Sequence, residues 1–152
     1  MISIKIVCVG NLKEKFWRDA SIEYEKRLSK FCKLKFVEIV EQNKYTEIEK
    51  IKELEGIKII EQLEGECFLL EINGKEYSSE EFAQKIENLS LLTSQLTFVI
   101  GGSYGVSDKV KNIIKNKISF GKATYPHNLA RIILLEQIYR AFMIVSGASY
   151  HK

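Results

Sequence analysis

A chain of 152 residues that is 45% hydrophobic and 28% charged has enough apolar side chain to bury a core unaided, which excludes a disordered tail and a disulfide-stapled miniature. The net charge of +3 is unevenly spread, with −3 on residues 1–100 and +6 on residues 101–152; the basic third suits a polyanionic partner such as nucleic acid, although lysines on a solvated helix face give the same balance. Cys8, Cys32 and Cys67 are scattered and far in sequence from both histidines, which excludes a zinc-ligand spacing, so no metal is expected, and fits reduced thiols in a cytoplasmic protein.

Taken in chain order, Ile2–Val9 alternates and stops at Gly10, a strand with no apolar run of signal-peptide length. Phe16, Trp17, Ala20, Tyr24, Leu28 and Phe31 recur at helical spacing over residues 13–31. A second strand is predicted over 34–40, then a polar loop, then a helix from about Thr46 to Glu64 with Gly56 as its weak point. Residues 67–72 read as a third strand closed by Asn73-Gly74, a turn pair. Ser78 and Glu81 have capping-box spacing, so a helix is expected to about Leu92. Residues 95–100 form a fourth strand, broken by Gly101, Gly102 and Gly105, after which Ser107 can cap a short helix. A short fifth strand is expected over 118–120. Pro126 and Asn128 open a final helix that ends near Gly147.

Strands alternating with helices predict an α/β fold, a mainly parallel sheet with helices on both faces, in a single domain spanning 1–152. In such sheets ligands sit beyond the carboxyl ends of strands, so the loops after strands are where chemistry belongs. The loop after the first strand lacks G-x-G-x-x-G, and no P-loop motif occurs anywhere. "FVIGGSYGVSDKV" is more informative, because its glycines permit positive φ and close backbone approach to a ligand. "SFGKATYPH" is a second such loop, and it ends on His127, which can serve as a general base or simply pack at a helix start. The final helix is nearly all apolar yet carries Arg131, Glu136, Gln137 and Arg140, residues rarely buried unless paired; its three charges also argue against a membrane span. No Ser-His-Asp order and no paired carboxylates are evident. The expected chemistry is therefore that of a cofactor bringing its own leaving group, with the protein supplying position.

"VIGGSYGVS", "ATYPHNLARIILLEQIYRAF" and the closing "YHK" resemble, in register and over the whole chain, the RlmH family of small SPOUT-class methyltransferases. The resemblance implies an α/β sheet whose C-terminal part is threaded as a trefoil knot. It implies S-adenosyl-L-methionine (SAM) held by Leu70, by Gly101 and Gly102, and by Gly121, Lys122, Ala123, Thr124, Tyr125 and Pro126. It further implies a homodimer through the C-terminal helix, with composite sites to which the partner's C-terminal segment contributes. The implied reaction methylates N3 of a pseudouridine in the 23S ribosomal RNA of the assembled ribosome, with His127, Glu136, Arg140, Tyr150 and His151 as catalytic candidates. Lys152 stands where the family commonly has arginine and a further acidic residue, which keeps the charge but loses the guanidinium fork. The alternative is a non-catalytic nucleotide- or RNA-binding α/β module.

Overall fold

A computed structural model describes every residue from Met1 to Lys152. Strand and helix alternate throughout: β1 (Ile2–Val9), α1 (Lys15–Leu28), β2 (Cys32–Ile39), α2 (Ile48–Glu61), β3 (Glu66–Glu76), α3 (Ser79–Ser90), β4 (Gln95–Ile100), α4 (Asp108–Ile113), β5 (Asn116–Ser119) and α5 (His127–Val145). All five strands pair in parallel in one sheet of order β2-β1-β4-β3-β5. Each helix carries the chain back to the amino end of the next strand, which is what parallel pairing demands.

Because side chains alternate across a strand, the inner strands feed two separate cores. Ile4, Ile6, Phe68 and Phe98 face α1, α3 and α5, where Leu28, Ile86, Leu134, Leu135 and Ile138 close the larger core. Val7, Val9, Leu69 and Val99 face α2 and α4 and meet Ile59, Val110 and Ile114. Burial on both faces explains why β1 and β4 read as almost unbroken apolar runs. Gly56, expected to weaken α2, instead lets that helix approach α4: an added Cβ would lie 2.7 Å from Ser107 Oγ.

Both expected serine caps form. Ser78 Oγ accepts from the Glu81 amide while the Glu81 carboxylate accepts from the Ser78 amide, and Ser107 Oγ accepts from Val110. At the start of α5, Pro126 occupies the N-cap with no side-chain cap, and Asn128 lies inside the helix with a buried Oδ1 that has no partner.

Asn73-Gly74 does not close β3. The strand continues to Glu76, and its pairing with β5 shifts, so that Leu70 and Lys75 both oppose Ile118. Residues 71–74 bulge out between them, held by Ser119 Oγ, which lies 3.0 Å from the carbonyls of both Ile72 and Gly121 and shares its single proton between them. A Cβ on Gly74 would come within 2.8 Å of the Ile118 backbone, so the glycine serves close strand approach rather than a turn. No helix is long and apolar enough to cross a membrane.

Candidate active site

The bulge in β3 and the carboxyl ends of β4 and β5 surround a cavity of about 840 Å³. Its walls are the β3 bulge from Leu70 to Asn73, the turn after β4 and the loop after β5; Lys111 of α4 and His127 of α5 complete it. The turn after β4 folds tightly, with the Gly105 amide donating to the Gly102 carbonyl at 3.0 Å. Here the glycines divide their roles differently from the sequence expectation. A Cβ on Gly101 would lie 2.8 Å from Val106 Cγ1, and one on Gly102 3.0 Å from Val9 Cγ1, so both point into protein. Left-handed backbone falls instead at Gly105 (φ +82°) and Gly121 (φ +114°), where an added Cβ would meet open space.

Leu70, Gly101, Gly102, Gly121 and the run Ala123–Pro126 all line this cavity. Lys122 is exposed and is not part of its wall. His127 reaches the cavity from the first residue of α5, with Nε2 4.0 Å from the Glu41 carboxylate.

Glu136, Arg140, Tyr150 and His151 gather elsewhere in the chain. Nine residues separate His127 from Glu136, which is roughly 13 Å of helix, and none of the four lines the cavity. Arg140 donates through Nε to Glu136 Oε1 at 2.8 Å, a hydrogen bond that holds the guanidinium above its ordinary pKa. Tyr150 donates to the same oxygen at 3.2 Å and stacks under the Arg140 guanidinium. Burial, reinforced by the Glu136 charge, pushes the Tyr150 phenol upward. A guanidinium can only donate, so His151 Nδ1 accepts from Arg140 (3.1 Å) and Nε2–H donates to Glu80 (2.6 Å). The hydrogen bond from His151 lowers the Glu80 pKa. This ties residues 150 and 151 back onto α5 and the start of α3.

Arg131 answers the puzzle of an arginine in an apolar helix. It is 4% exposed, and its Nη2 donates to Glu38 Oε2 (3.0 Å) and to the Gly10 carbonyl (3.3 Å). Without such partners a buried guanidinium would cost about 3–5 kcal/mol.

Sequence reasoning passed over three charged residues. Glu55 is buried beside Gly102 and accepts only from the Gln42 amide (3.1 Å). Burial raises its pKa, the Gln42 amide opposes that, and Glu41 adds to it. Glu71 and Lys111 line the cavity and pair at 3.3 Å. Position gave a signal for Glu71, which directly follows Leu70 near the end expected from the sequence for the third strand; Glu55 sits in a helical pattern that gave none.

The family described as "Predicted SPOUT methyltransferase" matches residues 2–151, essentially the whole chain. The protein belongs to this SPOUT methyltransferase family. Its relatives narrow the comparison further. It is 50% identical to the ribosomal RNA large subunit methyltransferase H of Lactobacillus acidophilus, over 99% of this chain and the whole of that protein. Proteins of the same name from Lactobacillus helveticus and Ligilactobacillus salivarius are 48% and 46% identical over the same extent.

Proposed function

We propose that the protein transfers a methyl group from SAM to N3 of a pseudouridine in 23S ribosomal RNA, acting on the assembled ribosome in the cytoplasm. One observation carries the reading: Leu70, the Gly101-Gly102 turn, and Gly121 with Ala123–Pro126, three segments far apart in sequence, converge on one cavity. Its substrate half rests on the relatives, full-length and about half identical, which carry the name of a large-subunit ribosomal RNA methyltransferase.

The cavity fits SAM in kind. It is large enough for a nucleoside with an amino-acid arm, its wall mixes backbone polar groups with Leu70, Ile100 and Ile118, and Gly121 leaves room that any Cβ would fill. When bound, SAM supplies a methyl group already activated on a sulfonium sulfur. The chain itself then has to orient, exclude water and handle one proton. Leu70, Gly101, Gly102 and the loop Gly121–Pro126 would hold the nucleoside, Lys122 reaching solvent instead. His127, with Glu41 beside it, would receive the proton lost from the imide nitrogen.

The same reading makes the protein a homodimer. Leu129, Ile133 and Met143 on α5 are half-exposed and stand outside the larger core. They share an outward stripe with Glu136 and Arg140 at spacings of three and four residues. Packing that stripe on a partner would bring the Glu136–Arg140–Tyr150–His151 group toward the partner's cavity, where tyrosine can stack on a base and His151 and Lys152 can meet phosphate. The knotted threading of the C-terminal third belongs to this proposal as well.

The test is methyl transfer from labelled SAM to intact ribosomes, with the modified nucleoside identified by mass spectrometry. Label in N3-methylpseudouridine is the expected result; label in another nucleoside, or none, refutes the assignment. Calorimetry with SAM, ATP and NAD separates the enzyme from a nucleotide-binding module, for which ATP would bind at least as tightly as SAM.

A further inference from the structure

Only two of the residues lining the cavity carry a permanent charge, and they carry opposite ones. Glu71 projects from the β3 bulge and Lys111 from α4; Oε1 and Nζ are 3.3 Å apart. Both side chains are partly accessible, Glu71 at 19% and Lys111 at 38%. An ion pair placed purely to fasten two elements gains little when it is this open to water. Its place on a cavity wall otherwise built of backbone, apolar side chains and neutral polar groups is what calls for an explanation.

The bulge that delivers Glu71 is itself specific. Had β3 paired with β5 without interruption, residue 71 would have continued the ladder beyond Ile118. Instead residues 71–74 are looped out and pinned by Ser119, which sets the Glu71 carboxylate opposite the first turns of α4. Lys111 follows the Ser107 cap by one turn, so the helix start that fixes the glycine turn also fixes the ammonium.

We infer that Glu71 and Lys111 form a subsite for the zwitterionic α-amino acid end of the cofactor. The ammonium of that end would donate to the Glu71 carboxylate, and its carboxylate would accept from Lys111. The charges of an α-amino acid are carried on groups attached to a single carbon, a separation comparable to that of the pair itself. Two such dipoles lying antiparallel satisfy all four groups with charge-assisted hydrogen bonds and leave no net charge in the cavity. A single acidic or basic residue would attract one end and leave the other unpaired. The pair would thus distinguish the aminoacyl cofactor from other adenosine compounds, whose polyphosphate arms place negative charge against Glu71. This inference rests on the proposal that SAM is the ligand of the cavity.

Three probes take the subsite apart: SAM, decarboxylated SAM and 5′-methylthioadenosine, which lacks the amino acid end altogether. Affinity is measured by calorimetry, with no turnover needed. Wild-type protein is expected to bind SAM most tightly and methylthioadenosine least. Lys111→Met should weaken SAM about tenfold or more and leave both other compounds unchanged. Glu71→Gln should weaken SAM and decarboxylated SAM alike and spare methylthioadenosine. Equal losses for all three ligands would mean that the pair only supports the fold, and no loss for any would mean that it is a surface ion pair; either overturns the inference. Should a variant unfold, the wild-type order decides, because methylthioadenosine binding as tightly as SAM refutes the subsite. Wild-type protein that binds none of the three refutes the cofactor proposal itself, a result distinct from the others.

Discussion

Glu55 is a carboxylate held where burial opposes its charge, with one amide for compensation. Its folded pKa is raised by that burial, so the folded protein binds the proton more tightly than the unfolded chain does. Unfolding therefore releases a proton between the ordinary carboxylate range and the raised folded value, and stability falls as pH climbs through that window. Glu55→Gln keeps an acceptor for the Gln42 amide and removes the charge. Its thermal midpoint at pH 8 should exceed that of the wild type, and the difference should shrink as the pH is lowered toward 4. Gly121 gives a second test. An alanine there takes up left-handed backbone at a cost of about 1–2 kcal/mol and points its methyl group into the cavity. Gly121→Ala should stay folded, with a slightly lower melting temperature, and bind SAM several-fold more weakly by calorimetry. Gly102 makes a poorer probe, because a side chain added there would strike Val9 and Glu55. Glycine content flagged loops that line the cavity; only the backbone angles and the surrounding space tell which glycine leaves room there.

The two faces of α5 respond oppositely to the same change. Ile138 is fully buried between the sheet and its flanking helices, so a glutamate there removes a piece of the core. Ile133 lies half-exposed on the outward stripe. Ile133→Glu should therefore keep a cooperative melt and sediment as a monomer at micromolar concentration, whereas Ile138→Glu should fail to fold. A wild type that sediments as a monomer at that concentration contradicts the dimer. The apolar sequence of α5 conceals this distinction, since period alone cannot orient a helix that is apolar on nearly every side. Capping was easier to read: Ser78 with Glu81, and Ser107, act locally and mark helix starts wherever they fall. Asn73-Gly74 departs from its local signal for the converse reason. The pair has the local chemistry of a turn, but β5, some forty residues later, takes the strand past it and makes it a bulge.

Alternation made the α/β class and the rim that carries the cavity legible, but not the strand order. That order depends on β4 settling between β1 and β3, and on β5 reaching the far side of β3, choices made by contacts distant in sequence. The resemblance implies that the C-terminal segment contributes to a partner's site; within one chain Tyr150 and His151 fold back on Glu136 and Glu80. Deleting residues 150–152 should leave SAM affinity within about twofold, since the cavity loops lie elsewhere, yet reduce methyl transfer to ribosomes by orders of magnitude if orientation of the reacting base depends on it. Transfer at the wild-type rate by the truncated protein would make this segment dispensable. The Arg131 contact has a bearing on how the molecule is made. It joins α5 to the loop that ends β1, and Leu134, Leu135, Ile138 and Ala141 wall in the larger core. During synthesis the first four strands emerge with that face of the sheet covered only by α1 and α3, and the arginine that fastens Gly10 arrives more than a hundred residues after it. Pairings this far apart in sequence form slowly, and the waiting surface is one that chaperones bind. An enzyme proposed to mature ribosomes would thus itself complete its fold only late in its passage out of one.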